Sequence, residues 1–181
     1  MPRRAPERPS ARATSRRNAS GSDRDRLLAG ERDLEGADLE GADLEGADLT
    51  GVCLRDANLR NANLRDANLR NTTLTGADLQ GADLESADFR DAILEGVNLR
   101  GAHAARPALL IGAHLKDTDL TGVSFDEMVL LYTNFKGADL RAADLSGAYG
   151  LERAFLKGAI YDESTLWPDG FTPPRSSRKR H

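Results

Sequence analysis

The stretch Glu35–Gly51, EGADLEGADLEGADLTG, repeats one five-residue unit three times, and Ala-Asp/Asn-Leu keeps returning long after its Glu and Gly have drifted. An apolar residue every fifth position, with a small one two places earlier, suits neither common backbone. In a helix, a five-residue step turns Leu39, Leu44 and Leu49 by about 140° each time, so no single face collects them. In a strand, five is odd, and Leu39 and Leu44 point to opposite sides. A chain that turns a corner every five residues meets the pattern. Four sides make a coil of about 20 residues, with each side sending its Leu and Ala inward.

The large inward series runs Leu34, Leu39, Leu44, Leu49, Leu54, Leu59, Leu64, Leu69, Leu74, Leu79, Leu84, Phe89, Leu94 and Leu99 without a slip. Ala104 then replaces a Leu, Pro107 intervenes, and the phase moves by one residue to Leu110 and Leu115, holding through Leu145. A second slip at Gly150–Arg153 leads to Leu156, Tyr161 and Leu166. Each slip reads as an extruded residue at a corner. For residues 102–112 the alternative is a looped-out segment. Two places after each large residue stand Gly36, Gly41, Gly46, Gly51, Asp56, Asn61, Asp66 and Asn71, the residue types that tolerate left-handed turns.

Outward positions 20 apart should stack about 4.8 Å from one another. On that register Glu35 falls over Arg55, Glu40 over Arg60, and Glu45 over Arg65 over Glu85. In the neighbouring columns Asp38, Asp43 and Asp48 are followed by Asn, then by Asp78, Asp83 and Asp88, so like charges are kept a rung apart. Stability then comes from the interior. Leu64→Asp should unravel the middle of the array, whereas Arg65→Ser, an exposed pair worth roughly 0–1 kcal/mol, should register little.

These residues resemble the pentapeptide-repeat proteins, whose signature is A(D/N)LXX: ADLEG, ADLTG, ANLRN and ANLRD recur in tandem across most of 33–166. The resemblance implies an all-β, right-handed quadrilateral parallel β-helix. Three regions are expected: a disordered Arg-rich arm over 1–32, the β-helix over 33–171, and a basic disordered tail over 172–181. Tyr161, Trp167 and Phe171 read as a lid on the last coil, the alternative being a homodimer contact through the carboxyl end.

Nothing in the chain supports catalysis. It has no phosphate loop, no Gly-x-Ser-x-Gly elbow and no paired Cys motif. His103 and His114 fall on outward positions without partners in ligand spacing, and Cys53, also outward, has no nearby base. A non-enzymatic protein without metal or cofactor is expected. No apolar run approaches a membrane span, and neither Arg pair near the start is followed by an export segment, so a cytoplasmic protein is expected.

Charge is the functional lead. Of the net −4, residues 1–32 carry +5 and 172–181 carry +4, which leaves −13 on the array. An acidic rod with a candidate face at Asp38, Asp43, Asp48, Asp78, Asp83 and Asp88 could sit where a DNA phosphate backbone sits. The resemblance extends this, because some pentapeptide-repeat proteins bind DNA gyrase in that way and protect it from quinolones or toxins. The first expectation is a rigid scaffold for an unknown protein partner, and gyrase mimicry is the alternative. Direct nucleic-acid contact is expected only weakly, through the basic tails.

Overall fold

Leu39, Leu44, Leu49, Leu59, Leu64, Leu69, Leu79, Leu84 and Phe89 are each at most 1% exposed in the computed structural model, which describes residues 22–104 and 106–176. Around them the chain winds in coils joined by parallel one-residue bridges. Asp38 pairs with Asn58 and Asn58 with Asp78, and the same 20-residue step links Asp43, Asn63 and Asp83. Four such columns start at Asp33, Asp38, Asp43 and Asp48, one per side of the coil. On one side the Leu39 N–H donates to the Asn58 carbonyl at 2.8 Å, the Gly41 N–H to Arg60 at 2.8 Å, and the Asn58 N–H back to Ala37 at 2.9 Å. The peptide groups facing a neighbouring coil on this side are thereby paired, which an apolar interior requires.

The corners explain the spacing of five. Ala42 N–H donates to the Leu39 carbonyl at 3.0 Å, closing a turn whose third residue, Gly41, has φ 62°. Where Gly is lost, Asp56 (φ 54°) and Asn61 (φ 53°) hold the same left-handed conformation. The small residue beneath most of the Leu is buried as well, although Ala42 and Ala47 in the first coil are only partly buried. Where it is Thr72, the hydroxyl donates to the Leu49 carbonyl at 2.8 Å, so no polar group enters the core unpaired.

The first slip is a one-residue bulge rather than a looped-out segment. Asp83 pairs with His103 at a step of 20, and Asp88 with Leu109 at a step of 21. Just beyond it, β1 (Ala108–Leu109) pairs in parallel with β2 (Met128–Val129). The second slip falls at a short 3-10 helix, Leu151–Arg153, after which Asn134 pairs with Phe155.

Two expectations are corrected. Leu166 is not inward. It pairs with Asp144 at a step of 22 and is 52% exposed, while Trp167 packs against the core, because the turn closed by Thr165 N–H on the Asp162 carbonyl takes up one more residue. Nor is the arm structureless up to residue 32. Asp23–Leu28 form α1, capped by a Ser22/Asp25 capping box. Leu27 is buried against the first coil. The Asp38 N–H donates to Asp23 at 2.8 Å, and Arg24 Nε donates to the Asp43 carbonyl at 3.0 Å, so α1 pairs backbone groups that no preceding coil can reach. The residues expected as arm and tail over 1–21 and 177–181 lie outside the described residues.

Candidate functional site: the outward columns

The Asp/Asn position has a structural task before any recognition role. Each side-chain oxygen accepts the N–H two residues on. Glu45 donates to Asp43 at 3.3 Å, Arg60 to Asn58 at 3.2 Å, and Gln80 to Asp78 at 3.0 Å. This Asx turn holds the chain as it leaves a side for the corner, and it is the physical reason the repeat wants Asp or Asn just before Leu. Asn adds a rung-to-rung link that Asp cannot supply: Asn58 Nδ2 donates to Asp38 at 3.1 Å and Asn63 Nδ2 to Asp43 at 3.0 Å.

The six aspartates expected as one face divide into two groups. Asp38, Asp43 and Asp48 are exposed, in a first coil where Asp33, Glu35, Glu40 and Glu45 are exposed too. Asp78, Asp83 and Asp88 are half-buried and engaged, with Arg60 at 3.2 Å, Arg65 at 3.4 Å and Arg90 respectively. In both groups the aspartates lie on three different sides of the coil, so they form rings rather than one face.

Glu40 and Glu45 do not pair with Arg60 and Arg65, although they stand on adjacent rungs. They accept from Asn58 and Asn63 at 3.1 Å. Arg60 and Arg65 instead reach one rung further, Arg60 to Asp78 and Gln80, and Arg65 to Asp83 and, at 2.6 Å, Glu85. Glu85 is buried, with Arg106 its other cation at 3.1 Å. Arg65→Ser therefore removes one of two cations from a buried carboxylate, which keeps Arg106, and costs more than its surface position suggested.

Hydrogen bonding also fixes protonation. The Thr50 hydroxyl and N–H hold Asp48 below the ordinary carboxylate range, and Thr121 and Ser164 do the same for Asp119 and Asp162. At Asp88, burial pulls upward and the Arg90 hydrogen bonds outweigh it, so its net shift is also downward.

At the carboxyl end Tyr161 meets Trp167 edge-on at 5.0 Å, and Trp167 stacks on Phe171 at 5.4 Å, all three partly buried against the core. His103 and His114 lie in the outward columns, His103 3.9 Å from Asp83. Folding brings Asp33, Glu35 and Cys53 together, their donor atoms within 4.8 Å of one another, a juxtaposition the 20-residue step hides from linear reading. Three donors on a solvated edge fall short of a closed four-ligand metal site.

A further feature went unread in the sequence. The fourth column changes from Asp48, Asn68 and Asp88 to Leu109, Val129 and Tyr149. Reading the residue before each large position past the first slip would have found it. Among the described residues, no helix is long and apolar enough to cross a membrane.

A family model described as Pentapeptide repeats matches residues 33–66, 67–103 and 108–147, with eight copies. Among solved structures, the chain is similar to a pentapeptide repeat protein (Rfr23) from the cyanobacterium Cyanothece 51142, with 30% identity, 80% of this chain and 97% of that one covered, and a TM-score of 0.47. It is similar to a pentapeptide repeat protein from Nostoc Pcc 7120 at 31% identity, covering 83% of this chain and 85% of that one, with a TM-score of 0.42. It is also similar to QnrB1, a plasmid-mediated fluoroquinolone resistance protein, at 20% identity, covering 71% and 81%, with a TM-score of 0.48. No curated protein matches the chain by sequence.

Proposed function

The chain belongs to the pentapeptide-repeat family, and from that premise we propose that it works as a right-handed, four-sided, non-catalytic scaffold in the cytoplasm, holding a protein partner on its outward columns. The observation that carries this reading is the ladder itself. From Asp33 to Leu166, bridges at steps of 20 to 22 present side chains in columns at fixed spacing. A surface so pre-ordered loses little entropy on binding. The basic charge of the two ends, +5 over residues 1–32 and +4 over 172–181, is assigned a steering role.

The exposed carboxylates of the first coil favour a second reading, DNA mimicry toward gyrase. Against it, Asp78, Asp83 and Asp88 are neutralised by arginines, so the run of unpaired carboxylates on these columns is broken after the first coil. Supercoiling by purified gyrase, with and without a quinolone, separates the two readings. A scaffold leaves supercoiling and drug inhibition unchanged, while a mimic inhibits or protects the enzyme. Salt-dependent DNA binding that vanishes when residues 1–21 and 177–181 are removed would defeat both.

A further inference from the structure

On three of the four sides the outward residues of the later coils are mixed or polar, with His114, Lys116, Asp119, Thr121, Ser124 and Asp126 in one turn of the chain. The fourth side differs. Leu109, Val129 and Tyr149 stack on one another, and Tyr149 is 51% exposed. Leu131 adds to this face, and Tyr132 stands at its corner, also 51% exposed. An apolar column sustained over three rungs is unusual on a water-facing sheet.

Its two ends carry different charge. Toward the amino terminus the nearest cations are already engaged, Arg90 with Asp88 and Arg106 with Glu85. Toward the carboxyl terminus Leu131 packs over Gly150, where even a Cβ would stand 2.6 Å from Leu131 Cγ. Just beyond lies a cleft of about 240 Å³ lined by Leu151, Phe171 and the acidic residues Glu152 and Asp169 among others. An apolar floor, an aromatic ring and two carboxylates suit an ammonium or guanidinium on an aliphatic stem. Arg153, on the same turn, is exposed and is not part of the lining.

Size selects the occupant. Three rungs are two spacings of about 4.8 Å, or about 10 Å, and one side is about 10 Å wide, far short of the roughly 800 Å² per partner that a stable dimer needs. Two turns of an α-helix span about 11 Å, which fits the column. We propose that this side docks an amphipathic helical segment of a partner protein, its apolar stripe on Leu109, Val129, Leu131 and Tyr149 and a terminal Lys or Arg in the Glu152/Asp169 cleft. The inference rests on the scaffold reading and names the side that it uses.

The test selects peptides from a random 16-residue display library on the full-length chain and titrates the enriched peptides by fluorescence anisotropy. Enriched sequences should combine a helical apolar stripe with a basic end. Affinity should fall at least about tenfold for Tyr132→Ser/Tyr149→Ser and again for Glu152→Gln/Asp169→Asn, and the loss from the second pair should shrink at about 0.5 M salt. Both pairs alter exposed or cleft-lining side chains outside the core, and unchanged thermal melts check that they stay folded. Enriched peptides without basic residues, or binding insensitive to both pairs, overturn this docking side and leave the scaffold reading standing. Light scattering that shows self-association abolished by Tyr132→Ser makes a second copy the occupant and overturns the proposal. No enriched peptide on any surface counts against both readings.

Discussion

Ala142 sits at a corner with φ 56°, where a Cβ is strained and nothing in the repeat asks for one. It is exposed, so Ala142→Gly removes strain without opening the core. The expected outcome is a gain of about 0.5–1 kcal/mol by denaturant melt, less any entropy Gly returns to the unfolded chain. A loss of stability would show that the corners do not need the left-handed conformation. The carboxylates supply a second residue-scale test. Asp48, Asp88, Asp119 and Asp162 all bind their protons more weakly when folded than the ordinary value near 3.8. A depressed folded value means stability that is present above the unfolded value and lost as pH falls through the folded one. Melting temperature should therefore hold from pH 7 to about 5 and drop below about 4. A main decline between pH 7 and 5 would assign acid sensitivity to other groups.

At the scale of elements, α1 does for the first coil what a preceding coil does for every other one. Leu27 covers the apolar end, Asp23 takes the Asp38 N–H, and Arg24 supplies the Asp43 carbonyl. An uncovered end would leave a template for edge-to-edge pairing. Leu27→Asp should cost about 2–3 kcal/mol, with lost protection confined in hydrogen exchange to the coil of Leu34–Leu49. Uniform loss of protection along the rod would mean that α1 supports the whole array rather than its end.

The molecule as a whole has a seam. Columns one and four run across the first bulge, through Ile93–His114 and Asp88–Leu109. Among the described residues no bridge joins Asn98 to Asp119 or His103 to Ser124, so two sides of the coil are unzipped at one level. What ties that level instead is the Gly96 N–H on the Thr118 hydroxyl at 3.1 Å and the exposed Arg100–Asp119 pair at 3.5 Å. Stability in a repeat array is close to a sum over neighbouring contacts, so the weakest junction opens first. Amides of Leu99, Gly101 and Asp119 should exchange faster than those of Leu59, Asn61 and Asp78, which bond to adjacent coils. Equal protection across both sets would remove the seam.

The five-residue step, the inward Leu and Ala and the turn chemistry at Gly, Asn and Asp were legible in the sequence, because each is a local demand of the backbone repeated at fixed spacing. The two earlier slips were legible for the same reason, as breaks in phase. Other features depended on residues far apart in the chain meeting in space. Arg65 bonds Glu85 rather than Glu45, Trp167 packs inward where Leu166 was expected, and Asp23 serves the Asp38 backbone. These are choices between neighbours of similar chemistry, or ends that need covering, and they are settled by which groups reach one another once the coils are stacked. The periodic part of the molecule, its apolar column included, was therefore written in its sequence, while its caps and ion pairs were decided by the stacked coils.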